Sequence, residues 1–364
     1  MSTADRFARL RALMSETGTD LVALGPTSHM AYLTGVSPHG DERPVMLLFG
    51  RDQACFLMPA LNVDSVRAKT DLPFFPWADA EGPHDALRQA LAAVLAGKAA
   101  PSVVVDETMR ADFALLLLDA LPGATRRFTD DTVGALRAVK DETEYGILKA
   151  NALLNDRAME AAYAALKPGV TELEIARLVE GFYEAHGATT QFRSVCFGEN
   201  GAFPHHHTGG RVLKAGEPVL IDIGGRMDGY PSDMTRVAYC GHPDPRFMAI
   251  VGVVEEAVQA GLAAAKPGVT ARSVDEAARN VITKAGYGPR FVHRTGHGLG
   301  IDIHEPPYIT ATADTILQEG HVFSIEPGIY LPGEFGVRLE EIVILRAGGA
   351  EVLSGLTRKP YIAG

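Results

Sequence analysis

The sequence predicts two domains: an α/β unit over residues 1–131, then an α+β unit over residues 132–364 built from two similar halves. Three observations carry this. The chain has 364 residues, more than one hydrophobic core normally serves. Strand-like and helix-like runs alternate through the first 130 residues, the mark of an α/β layer. Beyond them, two short phrases recur in the same order about a hundred residues apart.

Phe7, Leu10, Leu13 and Met14 lie at helical spacing and predict a short amphipathic helix, without the apolar core of a signal peptide. The runs 21–24, 45–49, 54–58 and 103–105 are apolar and β-prone and predict strands; 86–95 and 111–121 predict helices. No cluster of metal-ligand residues stands out here, which assigns this unit to substrate gating or assembly. After Asp130 and Asp131 the pattern turns helical, with Leu136, Val139, Tyr145, Leu148, Ala152 and Met159 near helical spacing up to Lys167.

Composition excludes several classes of function. A net charge of −11 with no basic run excludes nucleic acid as the partner, since phosphate binding needs a basic face. Apolar stretches such as 114–118 are too short to span a bilayer, so no membrane partner is expected. Cys55, Cys196 and Cys240 are odd in number and far apart, which predicts free thiols and a cytoplasmic protein.

The repeat organises the rest. Lys167-Pro-Gly-Val-Thr171 recurs 99 residues on as Lys266-Pro-Gly-Val-Thr270. In each copy Pro and Gly stop one helix and Thr caps the next. Gly216-Glu-Pro-Val-Leu-Ile-Asp222-Ile-Gly224 matches Gly320-His-Val-Phe-Ser-Ile-Glu326-Pro-Gly328 at an offset of 104, placing Asp222 against Glu326. Two related halves facing each other across a cleft are expected.

That alignment singles out acids. Asp222 ends an apolar run, and Asp233 follows 11 residues later beyond a turn-prone stretch. A hairpin folded about Met227–Asp228 would set the two aspartates opposite each other, Cβ atoms about 5 Å apart. Carboxylates so close repel unless a cation lies between them. Glu326 and Glu340 repeat the arrangement about Leu331-Pro-Gly-Glu334, and His297 sits in the glycine-rich Thr295-Gly-His-Gly-Leu-Gly300. Four carboxylates and one imidazole suit two divalent cations, Mn²⁺ or Co²⁺ first, with Zn²⁺ or Fe²⁺ possible. Metals so held can activate water. His205-His206-His207, His293 and His304 are candidates for oxyanion stabilisation and proton transfer.

At these residues the chain resembles the "pita-bread" metallopeptidases, in their proline-specific branch of Xaa-Pro dipeptidases (prolidases) and aminopeptidases P. The likeness runs from Tyr32-Leu-Thr-Gly35 to Glu340, through Ser232-Asp-Met-Thr-Arg236, Ser324-Ile-Glu-Pro-Gly328 and Gly336-Val-Arg-Leu-Glu340. It implies Asp222, Asp233, His297, Glu326 and Glu340 as ligands of two metals that bridge a hydroxide. His205 and His304 would steady substrate and intermediate, and Glu326 would double as proton shuttle. The implied substrate is a small peptide with proline second, and the implied assembly a homodimer. His293, Arg338 and Arg43 are candidate substrate contacts, the two arginines for a proline carboxylate. Aminopeptidase P is the alternative, because both activities share every ligand; a non-catalytic peptide-binding module is a third reading. Creatinase-like amidinohydrolases work without metals, and methionine aminopeptidases usually lack so large an N-terminal unit.

Overall fold

The computed structural model describes residues 1–364 as two compact units, Met1–Arg137 and Ala138–Gly364.

In the first unit a six-stranded mixed sheet runs in the order 74–77, 54–59, 46–50, 21–24, 102–105, 125–127. Leu21–Leu24 pairs antiparallel with Met46–Gly50 and parallel with Ser102–Val105. All four predicted strands lie in it. Helices His84–Leu95 and Ala111–Asp119 bury Leu87, Ala90, Phe113 and Leu117 against Leu21, Leu48, Leu57 and Val103. Two strands carry no sequence signal. Phe74–Trp77 contains Pro76, and Thr125–Arg127 is polar; each is a strand because a parallel neighbour supplies the pairing.

This unit does gather possible ligands: His29, Asp106 and Glu107 come within 4.8 Å of one another. Asp106, however, already accepts from Gly25 N, Thr27 Oγ1, Thr108 N and Thr108 Oγ1. The group is a hydrogen-bonded hub with no spare acceptor on Asp106. The sequence boundary after residue 131 lies before helix Val133–Ala138, most of which falls in the first unit. Arg137 Nη1 donates to His29 Nδ1 at 3.1 Å, and the Tyr32 hydroxyl donates to Leu136 O. The expected helical run to Lys167 is broken by Asp141, which caps Glu142–Ala165 through Thr143 N and Glu144 N.

The second unit shows the repeat in its backbone. Thr171 bridges Val212, and Thr270 bridges Ile316. Gly169 N donates to Leu213 O at 2.9 Å; Gly268 N donates to Leu317 O at 2.8 Å. Thr171 caps Glu172–Ala185, and Thr270 caps Ala271–Lys284. Glu142–Ala165 and Glu172–Ala185 pack on a sheet containing Thr189–Phe197, Pro218–Met227 and Met234–Cys240. Ala271–Lys284 packs on a sheet containing Gly296–Gly298, Val322–Ile325 and Glu341–Arg346. Pro245–Ala264 is apolar and long enough to cross a membrane by length and composition. Here it buries Phe247, Ile250, Val254 and Val258 against Val237, Tyr239, Ile329 and Val337.

One buried arginine joins the halves. Arg236, fully buried, pairs with Glu341 at 2.8 Å and donates to the carbonyls of Thr235, Glu340 and Leu356. Replacing it with methionine leaves the buried Glu341 carboxylate with Arg358 alone and strands several carbonyls. Arg236→Met should therefore lower stability by about 3–5 kcal/mol, read as a fall in the urea midpoint at unchanged slope.

Candidate metal centre and peptide cavity

Two hairpins present the acids. In the first, the turn falls on Asp228-Gly229, whose φ values of 52° and 82° give the type I′ turn favoured by Asp-Gly. This shifts the register from the one expected. Asp222 pairs with Thr235, and Asp233 lies diagonally across from Asp222 on the same face, roughly 7 Å away by sheet spacing. The second hairpin keeps one register on both sides of a kink. Gly328 pairs with Arg338, and Ile325 with Glu341, so Glu326 falls opposite Glu340. At the kink their amides leave the sheet: Glu326 N donates to Thr295 O and Glu340 N to Thr235 O.

His297 enters between them on Gly296–Gly298. Its neighbour must be glycine, since a Cβ at 296 would stand 1.8 Å from Ser324 O. Nδ1 lies 3.1 Å from the Gly298 carbonyl, so it carries the proton and leaves Nε2 with a lone pair. Nε2 is 3.3 Å from Glu326 Oε1 and 3.6 Å from Asp233 Oδ2. Asp233, His297 and Glu340 each place a donor atom within 4.8 Å of the others.

The electrostatics call for cations. Burial, then Glu340, Asp222 and Glu326, raise Asp233 well above the usual carboxylate range. Burial, then Glu326 and Asp222, do the same to Glu340. Burial raises Glu326 to about 7, and burial pushes His297 down to about 3, keeping the imidazole neutral as a ligand requires. Glu340 Oε1 is buried without a hydrogen-bond partner, an orphan acceptor beside Asp233 and His297. These residues fit a divalent metal centre.

Braces hold the acids in place. Arg338 donates to Asp222 Oδ2 at 2.6 Å, to Thr235 Oγ1 at 2.9 Å and to the Tyr330 hydroxyl at 2.8 Å. Thr235 Oγ1 donates onward to Glu340 Oε2, and Ser324 Oγ to Glu326 Oε1. The centre opens on a cavity of about 330 Å³, walled by Phe192, Pro204, His205, Ile303 and His304 among others, a size that holds a small ligand. Burial lowers His304, so it too is neutral.

Three expected substrate contacts are engaged elsewhere. His293 Nδ1 donates to Arg294 O and Nε2 accepts from the Tyr330 hydroxyl, leaving no ring nitrogen for a ligand. Arg338 lines the cavity but braces three side chains. Arg43 is held within its own unit by both oxygens of Asp79 and by Asp41 and Glu42. Of the triple histidine, His205 lines the cavity and His206 is tied to Glu172 at 3.1 Å. Sequence reasoning passed over Thr235, Tyr330, Phe192 and Arg294. Thr235 carried a signal, because strand alternation puts it on the face of Asp233.

Comparison with known proteins decides the family. Residues 146–347 match metallopeptidase family M24, and residues 6–139 match the creatinase/prolidase N-terminal domain. The chain belongs to metallopeptidase family M24. It is 36% identical over 354 residues to the probable dipeptidase PepE of Mycobacterium tuberculosis, covering 95% of this chain and 93% of that one. It is 30% identical to the Xaa-Pro dipeptidase of Pyrococcus furiosus, covering 98% and 99%. The crystal structure of dipeptidase PepE from Mycobacterium ulcerans superposes with a TM-score of 0.94 at 34% identity, covering 99% and 97%. This M24 member is thus a metal-dependent peptidase, and its second unit is the pita-bread catalytic domain.

Without metal, Glu326 binds its proton more tightly folded, at about 7, than at its ordinary value of 4.5. Its contribution therefore favours folding below pH 4.5 and is lost as pH rises through 7. Metal-free Glu326→Gln should be more stable than metal-free wild type at about pH 8, on the order of 3 kcal/mol, and no more stable at about pH 4. Urea titrations at both pH values measure the gap; equal stability of the two proteins throughout would show the acid to be unstrained.

Proposed function

We propose that this peptidase hydrolyses the Xaa-Pro bond, in dipeptides first, using two divalent cations held by Asp222, Asp233, His297, Glu326 and Glu340. The observation that carries the reading is the convergence of these donors, with the orphan Glu340 Oε1 among them, along the wall of one cavity. When bound, such cations supply Lewis acidity at the scissile carbonyl and lower the pKa of water. Mn²⁺ and Co²⁺ are the proposed ions, on the oxygen-rich donor set.

The chain's own groups do the rest. An Xaa-Pro bond is a tertiary amide without N–H, so recognition rests on the ring, which Phe192, Pro204 and Ile303 can enclose. His205 and His304 face the same cavity and are assigned to the carbonyl oxygen as charge develops there. Water attacks the carbonyl carbon, and the C–N bond breaks only if the proline nitrogen gains a proton. Ser324 occupies Glu326 Oε1, so Oε2 is the atom assigned to carry that proton from water to nitrogen. The near full-length likeness to an Xaa-Pro dipeptidase favours the dipeptide over longer peptides. Three free, buried cysteines support a cytoplasmic setting, and a homodimer is proposed on the prevalence of two-fold assemblies.

Metal-stripped protein should release no proline from Ala-Pro, and Mn²⁺ or Co²⁺ should restore release, with Ala-Pro preferred over Ala-Pro-Ala. His205→Ala and His304→Ala should each lower kcat by about 100- to 10,000-fold. Proline release unaffected by chelation would sink the reading.

A further inference from the structure

Of three consecutive histidines, His205 reaches the cavity, yet it is exposed and its ring makes no hydrogen bond. Neither burial nor a partner of its own therefore holds it in place. Its neighbours do. Phe203 O accepts from His206 N at 3.1 Å, closing a four-residue turn with Pro204 and His205 at its corners. Both corner residues line the cavity, so the placement of His206 aims His205. His206 is also fastened by its carbonyl, which accepts from Ser194 Oγ at 3.1 Å, and by its ring, whose Nε2 lies 3.1 Å from Glu172 Oε2. An ionised carboxylate only accepts, so Nε2 carries the proton.

Glu172 is fully buried at the first position of helix Glu172–Ala185, where the helix dipole favours its charge. Its two oxygens collect four donors from one loop: Phe197 N and Asn200 Nδ2 at 2.8 Å, His206 Nε2 and Gly209 N at 3.1 Å. Residues 197–209 are thus gathered around a single carboxylate, and the His206 ring is the donor nearest in sequence to His205. We propose that Glu172 and His206 are positioning residues: the buried carboxylate, through the His206 ring, fixes the turn that aims His205 at the substrate carbonyl. The inference rests on the Xaa-Pro reading above and on the part given there to His205. Without the ring contact the turn keeps its backbone bonds but loses its side-chain tether. A histidine misplaced by about 1 Å still admits substrate and no longer meets the charge that develops on the oxygen. The loss then falls on kcat.

The test is a double-mutant cycle on Mn²⁺-loaded enzyme, read on Ala-Pro, joined to hydrogen exchange on metal-free protein. His206→Ala should lower kcat by about 10- to 100-fold with KM little changed. His206→Gln, whose amide nitrogen reaches where Nε2 stood, should restore most of the rate. In a His205→Ala background, His206→Ala should cost nothing further, because the group it aims is gone. Peptides covering residues 198–209 should lose protection from exchange in His206→Ala, while the rest of the chain keeps its own. An additive cycle, no rescue by glutamine, or unchanged exchange overturns the positioning role. A wild type that cleaves no Ala-Pro overturns the Xaa-Pro reading, and the proposal falls with it. The two failures are told apart because exchange needs neither metal nor substrate.

Discussion

Repulsion among buried carboxylates is the constraint under which this structure is built. Asp222, Asp233, Glu326 and Glu340 share one small cavity, and two unit charges 4 Å apart cost about 4 kcal/mol near a protein surface. A fold brings acids together against such repulsion only where backbone geometry leaves them no other place. The kinked hairpin does so for Glu326 and Glu340, whose register is fixed by pairs on either side. The Asp-Gly turn does so for Asp222 and Asp233. Arg338, Thr235 and Ser324 then hold selected oxygens and leave others, notably Glu340 Oε1, without a hydrogen-bond partner.

The same hydrogen bonds explain how the cavity acquires different walls. Tyr330, between Arg338 and His293, occupies the last polar atom of His293, so that histidine belongs to the scaffold. His205 and His304 make no such hydrogen bonds, and both line the cavity. Lys140 forms a buried pair with Glu305 at 2.9 Å, which anchors the segment carrying His304. Chemistry and support thus separate by who is already hydrogen-bonded. Residue type alone does not separate them.

Much of this was legible in the sequence, for identifiable reasons. The repeat was visible because helix stops, caps and acids must recur where the backbone recurs, and Thr171 and Thr270 do occupy matching bridges. Strands with consecutive apolar residues, such as Leu21–Leu24, announced themselves; Thr125–Arg127 did not, because its pairing comes wholly from a neighbour. The first hairpin was read two residues out of register because the turn was centred one residue early, on Met227–Asp228, away from the dipeptide that tolerates positive φ. Arg43 and Arg294 show the limit most clearly. Both are arginines in polar surroundings, and only the folded chain reveals that one is surrounded by three acids while the other rests on the Tyr308 ring.

The donors are divided unequally between the halves: two aspartates come from the first, and His297, Glu326 and Glu340 from the second. Neither half alone supplies all five of the proposed ligands, so an ion held as proposed would act as a rivet through the pseudo-two-fold. Its binding free energy adds to the cohesion of the whole catalytic domain. Metal starvation would then do more than silence the enzyme: it would slacken the seam between the halves and offer the chain to proteolysis there first.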